Sequence, residues 1–343
     1  MLTRMLMPAP LALPLAVTLS ALLASTSTVA AADHGPTPAA QSRSAAPDPN
    51  WVIAVGDIPS CGDGVHASGK AIATAGLAQQ LQTAHPSLGF VGLGDENNGT
   101  GTPKEFTNCY AASGWGKLYN VTFPSPGNHE YLASSTAKGY FWYFGNRHPG
   151  TASAPYYAFD FGGWHFISLD SECQFVPGAG GRPGGCGKGS AQEHWLASHL
   201  TTFRQQHPHR CLAAFWHEPL FSSSSVSSTA PVPQRPMYAI WQDLAAARAA
   251  LVLNGHYHGY ERFSPMNAVG NADPAGVREI VPATGGSLFY PFRSPPAPHS
   301  QVRIANTPGV LLLALNPNSY NWIFYGLGMK VLDSGVGSVH ACP

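Results

Sequence analysis

Charge is scarce in this chain: only 10% of its 343 residues are Asp, Glu, Lys or Arg, and the two signs cancel to a formal net charge of zero. No cluster of lysines and arginines occurs, which argues against a nucleic-acid partner held by its phosphates. No C-x-x-C pair occurs among the 6 cysteines, which speaks against a structural zinc site built on thiolates. No cysteine precedes Cys61, which excludes a lipid-modified cysteine at an N-terminal cleavage point, and there is no twin-arginine pair. No internal repeat is visible. A small or locally bound substrate is the expectation these absences leave.

What is present begins with an export pattern. In MLTRMLMPAPLALPLAVTLSALLASTSTVAAAD one arginine, Arg4, precedes an apolar stretch that ends in Ala30-Ala31-Ala32, as in a Sec-type signal peptide. An uncleaved anchor is the alternative, since the stretch approaches the length of a membrane span. The prolines inside it and the small-residue exit favour cleavage. Residues 1–32 are therefore expected to be removed, leaving a secreted protein with no stable membrane association. Residues 33–50, DHGPTPAAQSRSAAPDPN, lack apolar periodicity and are expected to be a disordered linker. Residues 51–343 are expected to form one domain, and a monomer.

An even number of cysteines in an exported chain suggests disulfides. Cys173 and Cys186 bracket the Gly/Pro-rich loop QFVPGAGGRPGG and are expected to pair. Six cysteines allow fifteen connectivities. Cys61 with Cys109 and Cys211 with Cys342 complete the set, with no spacing argument behind either.

From Trp51 onward, short apolar runs end in turn residues. WVIAV ends at Gly56-Asp57, GFVGL at Gly94-Asp95 and VTFPSP at Gly127-Asn128; CLAAFW ends at His217 and LVL at Asn254. Helical patterns lie between them at roughly 66–84, 190–206 and 236–250, the second opening on Ser190 and Glu193 as a capping box. This alternation predicts α/β layering. YYAFDFGGWHFISLD, turning at Gly162-Gly163, and VLLLALNPNSYNWIFY read as hairpins, so the sheets are mixed. SSSSVSSTAPVPQRP, 222–236, reads as a long surface loop.

The polar residues gather where the strands end. Asp57, Asp95, Asn128, His217, His256 and His258 each follow an apolar run, and ligands of open α/β sheets bind beyond the carboxyl ends of strands. Oxygen and nitrogen donors meeting there suit a pair of divalent cations, with one carboxylate bridging. A single strand-end Asp is more often a turn former; the repetition after successive strands is what points to metal. In GHYHGYER, His256 and His258 lie one residue apart, in reach of two ions or of one ion and a substrate oxygen.

GD at 56–57, GD at 94–95, GNHE at 127–130, His217 in WHEP and GHYH at 255–258 resemble, in order and rough spacing, the motif set of the calcineurin-like metallophosphoesterases. GGSLFYPF and the C-terminal hairpin resemble the exported bacterial members of the branch related to purple acid phosphatases. The resemblance implies a four-layer α/β/β/α sandwich carrying two metal ions. Asp57 would ligate the first ion and Asp95 would bridge both. Asn128, His217 and His256 would complete the second, and His258 would return to the first. His129 would stand beside the ions as a charge stabiliser or proton donor, a capping or structural histidine being the alternative. The implied reaction is hydrolysis of a small phosphate ester, by attack of a metal-bound hydroxide on phosphorus, with monoesters favoured over diesters. Zn, Mn and Fe all suit such N/O donors.

Two departures from the family pattern bear on the first ion. Pro59 stands where many members have a histidine, and Asn98 stands where the purple acid phosphatases have a tyrosine. Asn98 or Glu96 would then supply an oxygen, or water would, and no ferric–tyrosinate colour is expected. A phosphodiesterase on the same site, a non-catalytic metal- or phosphate-binding relic and a cell-wall interaction module are the competing expectations. Loops 98–125, 174–190 and 222–236 would shape the entrance.

Overall fold

The computed structural model describes residues 50–62, 65–177, 185–337 and Cys342. Contacts group the chain into Met1–Pro47 and Asp48–Pro343, and the second unit holds everything that follows. The signal peptide and linker read from the sequence lie outside the described residues. The exception is Asn50, which opens the first strand instead of closing the linker.

Two sheets carry the fold. In the 6-stranded sheet, β1 (Asn50–Val55), β2 (Gly89–Leu93) and β3 (Thr122–Ser125) run parallel. β11 (Gly309–Leu315) pairs antiparallel with β1, and β12 (Tyr320–Gly326) and β13 (Lys330–Gly337) follow it, each antiparallel to the strand before, giving the order β13-β12-β11-β1-β2-β3. The 7-stranded sheet has β5 (Trp164–Ser168), β6 (Leu212–Phe215), β7 (Leu251–Leu253) and β9 (Arg278–Pro282) parallel at its centre. β4 (Tyr157–Phe161) joins β5 and β8 (Tyr260–Phe263) joins β9 by antiparallel pairing, and β10 (Ser300–Ile304) pairs antiparallel with β8 at the edge.

Alternation along single strands shows how the layers stack, because successive side chains leave opposite faces. Val52 and Ala54 of β1 turn toward Phe166, Ala213, Phe215 and Leu251 of the other sheet. Ile53 and Val55 turn the other way, onto Ala71, Ala75, Ala78 and Leu81 of α1 (Gly69–Ala84). Leu212 and Ala214 of β6 likewise pack outward on Leu196, Leu200 and Phe203 of α4 (Ala191–Gln206) and on Ile240, Trp241 and Leu244 of α5 (Tyr238–Ala246). Two shorter helices, α2 (Pro103–Glu105) and α3 (Lys138–Phe144), precede these. Helix, sheet, sheet and helix follow one another, with an apolar core at each interface. Each fully buried Leu, Ile or Phe contributes about 1.5–3 kcal/mol to that stack.

Several local expectations need adjusting. α1 starts at Gly69 because the Ser68 hydroxyl caps it, accepting from the Lys70 N–H at 3.3 Å. α5 ends at Ala246 and the chain turns through left-handed backbone at Arg248, φ 56°. The capping box on α4 is half formed. Ser190 accepts from the Glu193 N–H at 3.1 Å, but the Glu193 carboxylate takes the Gly189 N–H (2.9 Å) and Lys188 instead of closing the box. The serine run is not all surface: Ser222, Ser223 and Ser224 are buried, and Ser223 donates its N–H to Glu261 at 2.8 Å.

The hairpin β4–β5 turns at Gly162 and Gly163, whose φ values of 59° and 81° need glycine's freedom. The disulfides are Cys61–Cys109, Cys173–Cys186 and Cys211–Cys342, as read from the sequence. No described helix is long and apolar enough to cross a membrane.

Candidate metal centre

Parallel strands deliver their following turns to one edge of a sheet. The turns after β1, β2 and β3 carry Asp57, Asp95 and Asn128; those after β6 and β7 carry His217, His256 and His258. The two sets meet at the seam between the sheets. Four of these residues hold left-handed backbone: Asp57 (φ 61°), Asp95 (50°), His256 (73°) and His258 (38°). Such conformations are costly for non-glycine residues and cluster at sites where side chains must be aimed.

Close approach sets the flanking glycines. A Cβ on Gly127 would lie 2.4 Å from Asp95 Oδ1, and one on Gly255 would lie 2.8 Å from Asp57 Oδ2. Neither position has room for a side chain.

His217, fully buried, donates from Nδ1 to the Leu93 carbonyl at 2.8 Å. Its Nε2 lone pair therefore faces Asn128 Oδ1 (3.1 Å), Asp95 Oδ2 (3.4 Å) and His256 Nδ1 (3.2 Å). His256 Nδ1 lies 3.0 Å from the same Asn128 oxygen. His258 repeats the device. Its Nδ1 donates to the Leu288 carbonyl, and its Nε2 faces Asp57 Oδ1 at 3.2 Å. One donor atom each from Asp57, Asp95 and His258 fall within 4.8 Å of one another.

Lone pairs aimed at carboxylate and amide oxygens repel unless a cation lies between them, and backbone carbonyls fixing the far nitrogen are how imidazoles are oriented toward metals. With protons as the only cations, burial opposes charge on His217, but Asp95 beside it overrides burial and holds the imidazole well above its usual range. Burial likewise resists charge on Asp95, and the His217 and His129 imidazoles hold it low. The donor chemistry fits divalent metal: Asp57, Asp95 and His258 cluster on one side, and Asn128, His217 and His256 gather on the other side of Asp95.

The additional first-ion contacts resolve unequally. Asn98 reaches the site: its Nδ2 donates to Asp95 Oδ2 at 2.8 Å and lies 3.5 Å from His258 Nε2. Pro59 pairs with it as an isolated bridge, so both departing positions adjoin the same corner. Glu96 does not reach it. The carboxylate is fully buried behind the turn, against Gly92 and the Gly94 N–H (3.3 Å), and burial pushes it up to about 8.

His129 sits beside the centre without joining it. Its N–H donates to Asp95 Oδ1 at 2.9 Å, its Nδ1 to the Gly99 carbonyl at 2.5 Å, and its Nε2 stays 3.7 Å from Asp95 Oδ2. It lines an open cleft of about 240 Å³ together with Asp95, Asn128, His256 and His258. Val226, Tyr257 and Tyr290 complete that wall.

Glu130 is a residue to which the motifs assigned no role. Buried, it accepts the N–H groups of Asp95 (2.9 Å) and Gly127 (2.8 Å), so it ties the β2 and β3 turns together. Its place in GNHE, next to the candidate ligands, was the available signal.

Two mixed sheets between helices, with Asp, Asn and His donors on facing strand ends, form a fold that matches a solved purple acid phosphatase, and the chain is similar in sequence to purple acid phosphatases. By sequence the relatives are purple acid phosphatases. The chain is 27% identical over 210 residues to purple acid phosphatase 22 of Arabidopsis thaliana, covering 58% of this chain and 45% of that protein. It is 30% identical over 187 residues to purple acid phosphatase 15 of the same plant, covering 50% and 32%. A third relative, probable inactive purple acid phosphatase 9, is 26% identical over 196 residues, covering 56% and 26%. The chain thus spans less than half the length of these relatives. Among solved structures, purple acid phosphatase PPD1 from yellow lupin (Lupinus luteus) superposes with a TM-score of 0.59 at 18% identity, covering 86% of this chain and 56% of that one. PhoD superposes with 0.53 at 13% identity, covering 85% and 68%. No family model matches the chain.

Proposed function

We propose that the chain is a secreted, metal-dependent phosphoric ester hydrolase of the exported bacterial branch, acting on small phosphomonoesters. The convergence of oriented imidazole lone pairs, two carboxylates and an amide oxygen on one open cleft carries this reading. Asp57, Asp95 and His258 would hold one divalent ion, and Asp95, Asn128, His217 and His256 the other, with Zn, Mn and Fe all compatible. When bound, the ions supply Lewis acidity toward the phosphoryl oxygens and a nucleophilic water.

The protein's own contribution is placement. Asp95 is held by Glu130, His129 and Asn98 through its N–H and both carboxylate oxygens. His129, fixed by the Gly99 carbonyl, keeps Nε2 for the cleft, where it can stabilise phosphoryl charge or protonate the departing oxygen. A monomer acting outside the cell completes the reading.

A second reading, a metal- or phosphate-binding relic, is favoured by Asn98 and Pro59 at the first-ion corner and by the probable inactive relative. Metal analysis of the exported protein, with turnover measured on matched monoester and diester panels, separates them. Two ions per chain and monoester turnover support the enzyme. Bound metal without turnover of any ester supports the relic, and preferred diester turnover replaces the substrate class.

A further inference from the structure

We propose that this site selects phosphate esters whose leaving group is apolar or aromatic and carries no second negative charge. The inference rests on the phosphoesterase reading and names its substrate class.

Beside the candidate ligands and His129, the cleft offers a leaving group only Val226, Tyr257 and Tyr290, and no lysine or arginine lines it among the described residues. A phosphoryl group would be met by the ions and His129. A further phosphate, carboxylate or sulfonate on the same substrate would find no cationic side chain. The wall is fixed: Tyr290 lies over the His258 ring at 4.6 Å between centroids and 18° from parallel. Val226 stands 56% exposed on the serine loop, an apolar group held in water at the mouth.

Beyond Tyr257 lies a second cavity of about 160 Å³, walled by Pro219, Leu220, Ala230, Pro236 and Met237, which shares Tyr257 with the cleft. Its arginine is already committed. The Arg235 guanidinium donates to the carbonyls of Ser228 (2.8 Å), Ala230 (3.1 Å) and Leu220. The carboxylate there, Glu218, accepts from the Tyr257 hydroxyl at 3.1 Å. An anionic extension would meet the Glu218 carboxylate, while the Arg235 guanidinium, though charged, already turns Nε and both Nη atoms onto backbone carbonyls. An apolar body of ring size would leave water for a half-built apolar wall, which is favourable.

The test uses the metal-loaded full chain with phenyl phosphate, 2-naphthyl phosphate and 3-sulfophenyl phosphate, rates being corrected for leaving-group acidity. We expect kcat/KM to rise roughly tenfold from phenyl to naphthyl and to fall roughly tenfold from phenyl to sulfophenyl, as one apolar or one mismatched charged contact allows. Tyr290→Ala should abolish the naphthyl advantage, and Val226→Lys should raise the sulfophenyl-to-phenyl ratio. Saturation-transfer NMR with 2-naphthylphosphonate, which cannot turn over, gives a second readout. Its ring protons should be saturated by the parent and much less by Tyr290→Ala. Equal kcat/KM for all three esters, or ring saturation unchanged in Tyr290→Ala, overturns the inference and leaves the phosphoesterase reading standing. No turnover of any ester by the metal-loaded protein overturns both.

Discussion

The backbone N–H of His256 donates to both carboxylate oxygens of Asp57, at 3.1 and 2.9 Å, although the two residues follow strands of different sheets. One candidate ligand's side chain therefore sets the left-handed backbone of another. Under the proposed assignment Asp57 would serve the first ion by its carboxylate and the second by holding the backbone of His256.

Asp57→Ala should accordingly weaken both ion positions. Asp57→Asn, which keeps an oxygen for the N–H, should weaken mainly the Asp57/His258 side. Loss of an orienting partner costs roughly 10–100-fold in metal affinity, and calorimetric titration of both variants measures it. Loss of a single ion from Asp57→Ala, with the second titrating as in the parent, would show that the bridge between the sheets does not orient His256.

Asn98 stands within hydrogen-bond distance of Asp95 and beside His258, at the position where the resemblance to purple acid phosphatases implies a tyrosine. An anionic oxygen there suits a hard trivalent cation. Asn98→Tyr reconstituted with iron should therefore show a visible charge-transfer band that the parent lacks. A colourless, iron-loaded variant would mean that the tyrosine turns away from the ion.

His148 is buried with neither ring nitrogen hydrogen-bonded, and burial lowers it to about 4 from an ordinary 6.5. A group depressed in the folded state leaves stability intact above the unfolded value and erodes it as pH falls. Between pH 6.5 and about 4 the unfolded chain takes up a proton that the fold refuses, at a cost of about 3 kcal/mol. Urea unfolding of His148→Leu across this window should lose about that much less stability on acidification than the parent. Parallel pH profiles would assign the acid loss elsewhere.

The disulfides differ in the chain they close. Cys211–Cys342 spans 131 residues and Cys173–Cys186 spans 13. Loop-closure entropy makes the first worth about 5 kcal/mol and the second about 3. Paired alanine substitutions should lower the melting temperature more for Cys211/Cys342 than for Cys173/Cys186; the reverse order would assign the larger share to native-state packing around the short loop.

Much of this was legible in the sequence because strand, turn and ligand are neighbours there. Asp57, Asp95 and His217 each follow a short apolar run, so a period-two pattern located the layers and the residues at their ends. The disagreement over Glu96 and Asn98 arose where a turn chooses which of adjacent polar side chains faces the seam, which depends on backbone angles that composition does not encode. Glu130 was hidden for another reason. Its work is done through backbone N–H groups of Asp95 and Gly127, which look alike in any sequence. Tyr290 and Val226 reach the cleft from loops remote in the chain, and only the closed fold makes them neighbours of His258.

The antiparallel insertion of β11 beside β1 pairs Asn50 with Leu315 and Ala54 with Leu311. The strand that launches Asp57 is thus flanked on one side by residues some 260 positions later in the chain. Every candidate ligand has been polymerised by His258, yet the sheet that aims them waits for some fifty residues more. Ion capture at this seam would then report that β11 has joined β1, and a chain truncated before Gly309 would carry all the candidate donors without the strand that flanks β1.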